Sequence, residues 1–420
     1  MTTKNNLLLL LLTLTFSQLS AQDYCIPHRF VDNYYFKSRD IQIDKNIIYG
    51  QAINYKGKNQ MLDLDIYSPK KMIDSLNKRP LIMLIHGGSS GDKSKMERYC
   101  PLFAQRGFVV ANINRRMGKK KGSGYSEILV EAYRIVQDAH AALRFLSNHA
   151  QDYGIDTGAV FIGGVSAGAL TSTGIAYMNQ QDFDHQYPKV TGLLRRMDNS
   201  TNEISAKFTI RGVINMWGQI ADTSFISKEE AIGIPMIIFH STADSSLSPY
   251  EKAIELAKRY KNLGACYQLH TSTGTGHVEG ISKYYIAEQT GCFLKSILCN
   301  SCQSFEIEVD NENFSCINTL AIDSSEYHIS QISLDPSIIR QYAGIYKTKS
   351  EKIKIILEDD HLLISDEQTG FKAELYPESE TDFFLRDDNI QFTFHRNKKG
   401  QVMGMTLFID AKEINAKKIK

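Results

Sequence analysis

A serine stands between two glycines at the end of an apolar run, in the sequence Gly164-Val165-Ser166-Ala167-Gly168. The apolar and β-branched residues before it predict a buried strand, and the residues after it favour a helix. A sharp turn from strand to helix needs small residues two positions on either side, and it raises the hydroxyl of Ser166 above the edge of a sheet. This spacing predicts a nucleophilic serine, with a chance glycine-rich turn as the alternative.

A serine hydroxyl attacks a carbonyl group when a base removes its proton and an anion orients that base. His277 lies on the loop after a predicted strand, and Asp244 lies in the turn after the apolar segment 235–240. The order of nucleophile, acid and histidine is typical of this kind of turn. The sequence therefore predicts Ser166, Asp244 and His277 as catalytic residues. The alternatives are a surface histidine, an ordinary turn aspartate, and Asp222 as a weaker candidate for the acid.

Main-chain donors for an oxyanion are predicted at two places. The N–H of Ala167 follows the nucleophile at the start of the predicted helix. The sequence His86-Gly87-Gly88-Ser89 follows an apolar strand, 80–85, and its glycines let the main chain approach a substrate oxygen. We expect Gly88 and Ser89 to complete an oxyanion hole, in which one donor is typically worth about 2.7–4 kcal/mol of transition-state stabilisation.

Strand and helix patterns alternate from about residue 47 to residue 298, with short turns at the strand ends. Apolar runs such as 80–85 suit strands buried on both faces, and the long helix predicted over 126–150 carries its apolar residues at helical spacing. This alternation predicts an α/β fold, a mostly parallel sheet flanked by helices. In such a sheet the reacting groups gather beyond the carboxyl ends of the strands, which is where the candidate residues lie.

Three further segments complete the predicted organisation. Residues 178–206 are polar and irregular, which is typical of a functional lid or binding loop. Residues 299–333 are polar with little periodicity and are predicted to form a linker. The short alternating runs of residues 334–420, separated by turn signals, predict a small all-β domain, a barrel or a sandwich. The catalytic domain is accordingly predicted over residues 22–298.

The first residues have the pattern of an export signal. Lys4 precedes an unbroken leucine run, 7–12, and the sequence Leu19-Ser20-Ala21 offers small residues for cleavage. We predict a signal peptide over residues 1–21 and export to the periplasm, the outer surface or the medium. The apolar stretch is short for a bilayer span and no other segment is apolar enough, so we expect no stable membrane insertion. A formal net charge of +1 gives no field that would attract nucleic acid.

Seven cysteines are an odd number, so at least one is free or intermolecular if the others pair in an exported protein. Cys299 and Cys302 have the spacing of a thiol-redox or zinc pair. Because no second pair of matching spacing follows, we expect disulfides instead. No predicted helix carries paired metal ligands, so the sequence predicts neither a metal nor another cofactor.

The candidate residues stand within an ordered set of motifs between about residues 45 and 298. The set consists of Leu64–Pro69, His86–Gly88, Val136–Ala139, Tyr153–Asp156, Gly164–Ala169, Val213–Gly218, His240–Asp244 and Gly276–His277. It resembles the α/β-hydrolase fold, and within it exported bacterial carboxylesterases related to the hormone-sensitive-lipase and feruloyl-esterase-like groups. The resemblance implies hydrolysis of carboxylic esters through an acyl-serine, with Ser166 attacking, His277 as base and acid, and Asp244 supporting it.

Two positions depart from that resemblance. Ser89 stands where many relatives have a third glycine, and Ser241 replaces the glycine that is usual after the strand-end histidine. The first change keeps the N–H of residue 89, and the second affects the turn before Asp244. The sequence Gln341–Tyr346 resembles small lipocalin-like β domains that are appended to other exported bacterial hydrolases.

The resemblance and the predicted export imply a small-molecule or polysaccharide-linked ester as substrate, with acetyl and feruloyl esters of plant polysaccharide as candidates. Two alternatives stay open. A serine peptidase of the prolyl-oligopeptidase type shares the sheet and the catalytic residues. A non-catalytic surface binding protein would use the β domain instead. The sequence predicts no oligomeric state.

Overall fold

The computed structural model describes residues 24–88, 91–118, 125–198, 201–246, 248–312, 315–316, 332–365, 370–385 and 390–420. These residues form a nine-stranded sheet and a closed eight-stranded barrel. The two sheets correspond to the α/β and all-β parts that the sequence predicts. The predicted signal peptide, 1–21, and one predicted oxyanion donor, Ser89, lie outside the described residues.

Parallel pairing dominates the nine-stranded sheet, which we call the large sheet. Its strands are β1 (Ile41–Ile53), β2 (Asn59–Pro69), β3 (Arg79–Ile85), β4 (Val109–Ile113), β5 (Ile155–Val165), β6 (Ile210–Met216), β7 (Met236–Ser241), β8 (Tyr267–Ser272) and β9 (Phe305–Glu308). They lie in the order β1-β2-β4-β3-β5-β6-β7-β8-β9. β2 is antiparallel to both β1 and β4, and the other neighbouring pairs are parallel.

Helices cover both faces of the large sheet. They are α1 (Cys100–Gln105), α2 (Tyr125–Asn148), α3 (Ala150–Tyr153), α4 (Ala167–Tyr177), α5 (Gln180–Gln186), α6 (Pro188–Leu194), α7 (Lys228–Gly233), α8 (Tyr250–Leu263) and α9 (Lys283–Leu298). In β5, Val160 and Ile162 join the buried cluster that includes α2, α4 and α8, and Phe161 joins the cluster that includes α1 and α9. Burial on both faces explains why the central strands are continuous apolar runs. None of the described helices has the length and apolar character needed to cross a membrane.

Residues 178–206 contain more regular structure than the sequence predicts. The side chain of Asn179 accepts hydrogen bonds from the N–H groups of Gln181 and Asp182, and the Asp182 carboxylate accepts from the N–H of Asn179. This reciprocal capping starts α5. α6 begins at Pro188, whose fixed φ and missing N–H suit the first turn of a helix. Local capping therefore produces two short helices in a polar segment.

Three disulfides join described residues, namely Cys25–Cys299, Cys266–Cys302 and Cys292–Cys316. Cys299 and Cys302 therefore do not pair with each other. Each of them instead ties a distant segment to the end of α9. Cys100 is free and buried, so the expectation of disulfides with one unpaired thiol is confirmed for the described residues.

The large sheet continues into the segment predicted as a linker, 299–333. β9 lies in this segment and pairs in parallel with β8. The N–H of Tyr267, at the start of β8, donates to Ser304 Oγ at 3.1 Å, just before β9 begins. β9 alternates between apolar and acidic residues, Phe305-Glu306-Ile307-Glu308, but four residues are too few for this alternation to indicate a strand within a polar segment. The domain boundaries themselves stay a prediction.

The barrel is antiparallel throughout. Its strands are β10 (Gly344–Lys347), β11 (Lys352–Glu358), β12 (His361–Ser365), β13 (Lys372–Pro377), β14 (Asp382–Phe384), β15 (Ile390–Arg396), β16 (Val402–Ile409) and β17 (Lys412–Lys418), preceded by α10 (Pro336–Arg340). β17 pairs with β10 and closes the barrel. Aliphatic side chains make up most of its buried core, together with the aromatic residues Tyr342, Tyr346, Phe383, Phe392 and Phe394. Closure removes the exposed sheet edges that a small β domain would otherwise have.

The barrel contacts the N-terminal arm of the chain. Arg39 Nη1 lies 2.6 Å from Asp382 Oδ1. The N–H of Ala411, in the turn between β16 and β17, donates to Ser38 Oγ at 2.7 Å, and Ala411 packs against the buried cluster of α1 and α9. Ion pairs of this partly exposed kind are individually weak. The association of the barrel with the α/β part thus depends on the apolar packing and main-chain hydrogen bond of Ala411 as well as on the ion pair.

Removing the Cys266–Cys302 disulfide is expected to lower the stability of the protein. A cross-link between positions 36 residues apart restricts the unfolded chain and is worth about 3–4 kcal/mol in the chain-entropy description. We expect Cys266→Ala/Cys302→Ala to unfold several degrees below the parent in calorimetry without reductant. Cys100→Ala, which removes the free buried thiol, is the control. An equal decrease in both variants would contradict the prediction.

Candidate active site

Ser166 occupies the sharp turn between β5 and α4. Its φ of 56° lies in the left-handed region, which is rare for a residue with a side chain. The glycines on either side explain how the turn is possible. A Cβ atom at Gly164 would lie 2.3 Å from the carbonyl oxygen of Ile85, and one at Gly168 would lie 1.9 Å from the same oxygen. The turn therefore rests directly on the end of β3, and a side chain at either position would collide with it.

Ser166, His277 and Asp244 form one hydrogen-bonded chain. Ser166 Oγ lies 2.9 Å from His277 Nε2, and His277 Nδ1 lies 2.6 Å from Asp244 Oδ2. Asp244 follows β7 and His277 follows the neighbouring β8, so the three side chains meet at the carboxyl edge of the large sheet. An ionised Asp244 accepts the Nδ1 proton, and this assigns Nε2 as the acceptor that faces the serine hydroxyl.

The Asp244 carboxylate has several donors around it although its side chain is fully buried. Its Oδ1 accepts from the N–H of Ser246 at 2.9 Å. Burial on its own would raise the pKa of this carboxyl group. The hydrogen bonds from His277 and Ser246 outweigh burial, so that the pKa of Asp244 lies below its usual value. The group is therefore ionised at neutral pH, as the orientation of His277 requires.

A second histidine, His240, supports the turn that carries Asp244. Its Nε2 donates to the carbonyl oxygen of Ser248 at 2.9 Å and lies 3.3 Å from Asp244 Oδ2. Burial lowers the pKa of His240, so the ring is neutral at neutral pH. His240 is the next-to-last residue of β7, so it supports the turn from the strand side.

The predicted oxyanion donors belong to the two segments that meet at Ser166. A Cβ atom at Gly87 would lie 3.1 Å from Ser166 Cβ, so the loop after β3 runs beside the nucleophile. Gly88, the next residue, has a φ of 77°, a left-handed conformation that favours glycine. Ala167 is the first residue of α4, where an N–H has no acceptor within the helix. The part assigned to Ser89 stays a prediction because that residue lies outside the described ones.

Arg115 fixes the carbonyl groups of the same loop, and sequence reasoning did not single it out. Its Nη2 donates to the carbonyl oxygens of His86 at 3.0 Å and of Gly88 at 2.7 Å. Burial lowers the pKa of Arg115 to about 10, so the guanidinium is still charged at neutral pH. One cation thus holds two carbonyl groups and sets the orientation of the loop. The sequence signal for Arg115 is its position just after β4, at the carboxyl edge of the sheet.

His86 is a buried, neutral part of this loop. Burial and the neighbouring Arg115 charge lower the pKa of His86 to about 4. Its Nδ1 lies 3.2 Å from the carbonyl oxygen of Gly87. The ring therefore supports the loop and is not charged at neutral pH.

Ser241, the second departure from the family pattern, connects two strand ends. Trp217 Nε1 donates to Ser241 Oγ at 2.7 Å, and Ser241 Oγ donates to the carbonyl oxygen of Glu279 at 2.9 Å. Val278, the residue before Glu279, has a φ of 61°, which is strained for a β-branched side chain. The hydroxyl group thus ties the loop that carries His277 to the end of β6.

Asp222, the weaker candidate for the acid, has a different role. Its Oδ1 accepts from the N–H of Ser224 at 2.8 Å and caps a short 3₁₀ turn after β6. The contact to His277 comes from Asp244 instead. Asp222 is thus a turn-capping residue, which is a common use of aspartate.

One group of described residues has side chains close enough together to hold a metal ion, Glu288, Cys292 and Cys316. Cys292 and Cys316 form a disulfide with each other. Their sulfur atoms are therefore not thiolates and do not bind a metal in this state.

Two family models match this chain. Residues 64–230 match BD-FAE, an esterase- and feruloyl-esterase-like α/β-hydrolase domain, and residues 330–418 match a domain of unknown function, DUF3471. The first match includes Ser166 and ends before Asp244 and His277. It confirms the predicted resemblance for that part of the chain.

Short stretches of this chain are similar to curated esterases. Gut esterase 1 of Caenorhabditis elegans is 29% identical over 128 residues, which are 30% of this chain and 22% of that protein. Venom carboxylesterase-6 of Apis mellifera is 31% identical over 119 residues, which are 28% of this chain and 21% of that protein. The chain thus spans about a fifth of the length of the curated relatives it matches. Among solved structures it is similar to a truncated form of carbohydrate esterase from gut microbiota, at 19% identity and a TM-score of 0.45 over 64% of this chain and 98% of that chain.

Adding a methyl group at Gly168 is expected to destabilise the protein. The new Cβ would lie 1.9 Å from the Ile85 carbonyl oxygen, so α4 or β3 must shift, and overpacking of this kind typically costs about 1–3 kcal/mol. We expect Gly168→Ala to lower the free energy of unfolding measured in urea. Gly192→Ala is the matched control, because Gly192 lies in α6 with no atom within 4 Å of an added Cβ. A Gly168→Ala protein as stable as its parent would rule out the tight contact.

Proposed function

We propose that the protein is a serine hydrolase that cleaves carboxylic esters through an acyl-serine intermediate. One observation carries the proposal, the hydrogen-bonded chain from Ser166 Oγ to His277 at 2.9 Å and from His277 to Asp244 at 2.6 Å. The BD-FAE match over residues 64–230 supports the same class of chemistry. A chance glycine-rich turn would not require a histidine and a buried carboxylate in line with its serine hydroxyl.

The first half of the reaction acylates the serine. As Ser166 Oγ attacks the ester carbonyl carbon, His277 Nε2 takes the hydroxyl proton, and the Asp244 carboxylate stabilises the imidazolium that forms. The carbonyl π electrons move onto the oxygen and give a tetrahedral oxyanion. When this intermediate collapses, the bond to the alcohol oxygen breaks and His277 Nε2 returns the proton to that oxygen. The alcohol leaves, and the acyl group stays on Ser166.

The second half transfers the acyl group to water. His277 Nε2 removes a proton from a water molecule whose oxygen attacks the acyl carbon, and a second tetrahedral oxyanion forms. Its collapse breaks the bond to Ser166 Oγ, which takes the proton back from His277. One ester and one water molecule thus give one acid and one alcohol. Every proton movement in this sequence uses His277 Nε2, so no cofactor is required.

Both tetrahedral intermediates need donors for their oxyanion. The proposed donors are the N–H groups of Ala167 and Gly88, with that of Ser89. Each such donor typically contributes about 2.7–4 kcal/mol of transition-state stabilisation. The Arg115 hydrogen bonds to the carbonyl oxygens of His86 and Gly88 support this assignment, because they hold the loop before any substrate binds.

We further propose that the protein is exported and acts on acetyl or feruloyl esters linked to polysaccharide. The disulfides among the described residues support export, because such bonds persist in oxidising compartments. The leucine-rich start of the sequence supports it as well. The acyl groups follow from the resemblance to feruloyl-esterase-like hydrolases, to which the BD-FAE match corresponds.

Replacing Ser166 by alanine is expected to remove the activity. We expect kcat/KM for p-nitrophenyl acetate to fall at least about a thousandfold, because the attacking oxygen is lost. A fluorophosphonate probe should label the parent at Ser166 and leave the variant unlabelled. Ser224→Ala, at an exposed serine in the turn after β6, is the control and should keep full activity. Undiminished turnover by Ser166→Ala would remove Ser166 from the mechanism.

The same assays separate the alternatives. Turnover of aminoacyl amides without turnover of short acyl esters would replace the esterase by a peptidase of the prolyl-oligopeptidase type. An unmodified protein that turns over neither substrate and is not labelled by the probe would favour a non-catalytic binding protein. Esters of graded acyl length and aromaticity then test the acetyl and feruloyl assignment.

Replacing Ser241 by alanine is expected to slow the reaction through the position of His277. The change leaves the Trp217 Nε1 proton and the Glu279 carbonyl oxygen without the hydroxyl that joins them. We expect kcat to fall about tenfold with little change in KM, equivalent to about 1.4 kcal/mol of activation free energy. Ser241→Thr keeps a hydroxyl group and should recover most of the rate.

The readouts for Ser241 distinguish positioning from general stability. A purely structural effect would lower the thermal midpoint and leave kcat unchanged at temperatures well below it. Unchanged kcat in Ser241→Ala, or a threonine variant as slow as the alanine variant, would contradict a positioning role.

A further inference from the structure

A cavity at the carboxyl edge of the large sheet is lined by three arginines. Its volume is about 470 Å³, and Arg116, Arg134 and Arg195 contribute to its wall. The rest of the wall consists of amide, hydroxyl, aliphatic and main-chain groups, including those of Asn54 and Gln137. We call it the arginine cavity. No carboxylate is among the described residues that line it.

The three arginines are not equally available to a ligand. Arg116 is committed within the fold: its Nε lies 2.9 Å from Asp138 Oδ1, and its Nη2 donates to Gln137 Oε1 at 3.0 Å. Asp138 is fully buried and also accepts from Thr201 Oγ1 at 2.9 Å. The charge of Arg116 is therefore neutralised inside the protein. Arg195, by contrast, is exposed at the end of α6.

Arg134 is the donor group that the fold leaves unsatisfied. Its Nε and Nη1 atoms are buried and have no hydrogen-bond partner among the described residues. Burial, followed by the nearby Arg116 charge, lowers the pKa of Arg134, although Glu127 and Glu131 act in the opposite direction. Neither glutamate lines the cavity, and Glu131 accepts from the N–H of Gly118 at 3.0 Å. Because Nε and Nη1 have almost no exposed surface, a ligand in the cavity reaches Arg134 through its third nitrogen, Nη2. A charge-assisted hydrogen bond to Nη2 would therefore contribute to binding.

The cavity lies at the same sheet edge as Ser166. Arg115 and Arg116 are neighbours in the segment after β4. Arg115 holds the loop that carries the predicted oxyanion donors through the carbonyl oxygens of His86 and Gly88. The cavity wall also includes Ile53, the last residue of β1. Because β1 and β4 are both antiparallel to β2, they end at the same edge of the sheet.

We propose that the arginine cavity binds the carboxylate group of a small organic ligand, such as an acidic sugar. A guanidinium presents its N–H donors in a planar fork that matches a carboxylate, and such charge-assisted hydrogen bonds are stronger than neutral ones. The wall has excess positive charge from Arg134 and Arg195 and amide groups that suit sugar hydroxyls. The proposal concerns binding and does not depend on the proposed esterase activity.

Calorimetric titration of the full chain with sodium glucuronate at low ionic strength tests the proposal, with neutral glucose as the ligand control. We expect glucuronate to bind and glucose to bind at least tenfold more weakly. Arg134→Gln should weaken glucuronate binding at least tenfold, and Arg134→Lys should weaken it less. Arg196→Gln is the protein control, because Arg196 is exposed, pairs with Asp198 at 3.1 Å and is outside the cavity wall.

Several outcomes would overturn the proposal. They are equal binding of glucose and glucuronate, no binding of glucuronate, and glucuronate binding that is unchanged in Arg134→Gln. If Arg134→Gln does not fold, judged by circular dichroism, Arg195→Gln replaces it, since that exposed side chain is not part of a buried network. Unchanged glucuronate binding in Arg195→Gln then overturns the proposal in the same way.

A second comparison identifies the source of the carboxylate, and this step alone depends on the proposed function. A higher KM of Arg134→Gln for an acetyl ester that bears a carboxylate, with an unchanged KM for the neutral analogue, would place the group on the substrate. Equal KM values in parent and variant for both esters, together with weakened glucuronate binding, would assign the cavity to a separate ligand. Loss of activity in Ser166→Ala leaves the glucuronate titration unaffected, so the two proposals fail independently.

Discussion

The contact between the β5–α4 turn and the end of β3 determines the geometry of the candidate active site. Gly164 and Gly168 both approach the carbonyl oxygen of Ile85 more closely than any side chain would allow. Ile85 pairs with Gly164 across the parallel ladder, and the loop with Gly87 and Gly88 begins one residue later. A single close approach thus positions the nucleophile and the loop that faces it. This explains why the spacing of glycines around Ser166 is as informative as the serine itself.

Three residues along the same edge of the sheet have strained backbone conformations. Ser166, Trp217 and Val278 have φ values of 56°, 54° and 61°, although none is a glycine. The strain of such residues costs on the order of 1–3 kcal/mol each and persists only where surrounding contacts hold it. Here the N–H of Ser166 donates to Met216 and that of Trp217 to Phe239, each at 2.8 Å, and Ser241 holds the residue after Val278. The buried strands therefore stabilise turns that would not form alone.

The sequence predicts the residues of this site better than the contacts that support them. Ser166, Asp244 and His277 follow apolar strands in the order that is typical of a nucleophile on a strand-to-helix turn, so pattern and chemistry agree. Arg115 and His240 act through main-chain carbonyl oxygens, and such contacts leave no spacing rule in a sequence. The partners of Cys299 and Cys302 depend on which distant segments of the chain become neighbours in space. The short helices α5 and α6 were missed because local capping creates them, and β9 was missed because its alternation covers only four residues.

The segments after α9 also contribute to the position of His277. Asn311 Nδ2 donates to the carbonyl oxygen of Gly280 at 2.8 Å, and its Oδ1 accepts from the N–H of Ser282 at 2.9 Å. Lys283, the first residue of α9, lies 3.4 Å from Asp410 in the barrel. The loop from β8 to α9 is thus held by Ser241 on one side and by Asn311 on the other. Because a base must stay within hydrogen-bonding reach of its nucleophile, the part of the chain that resembles a hydrolase does not contain all of the contacts that keep His277 in place.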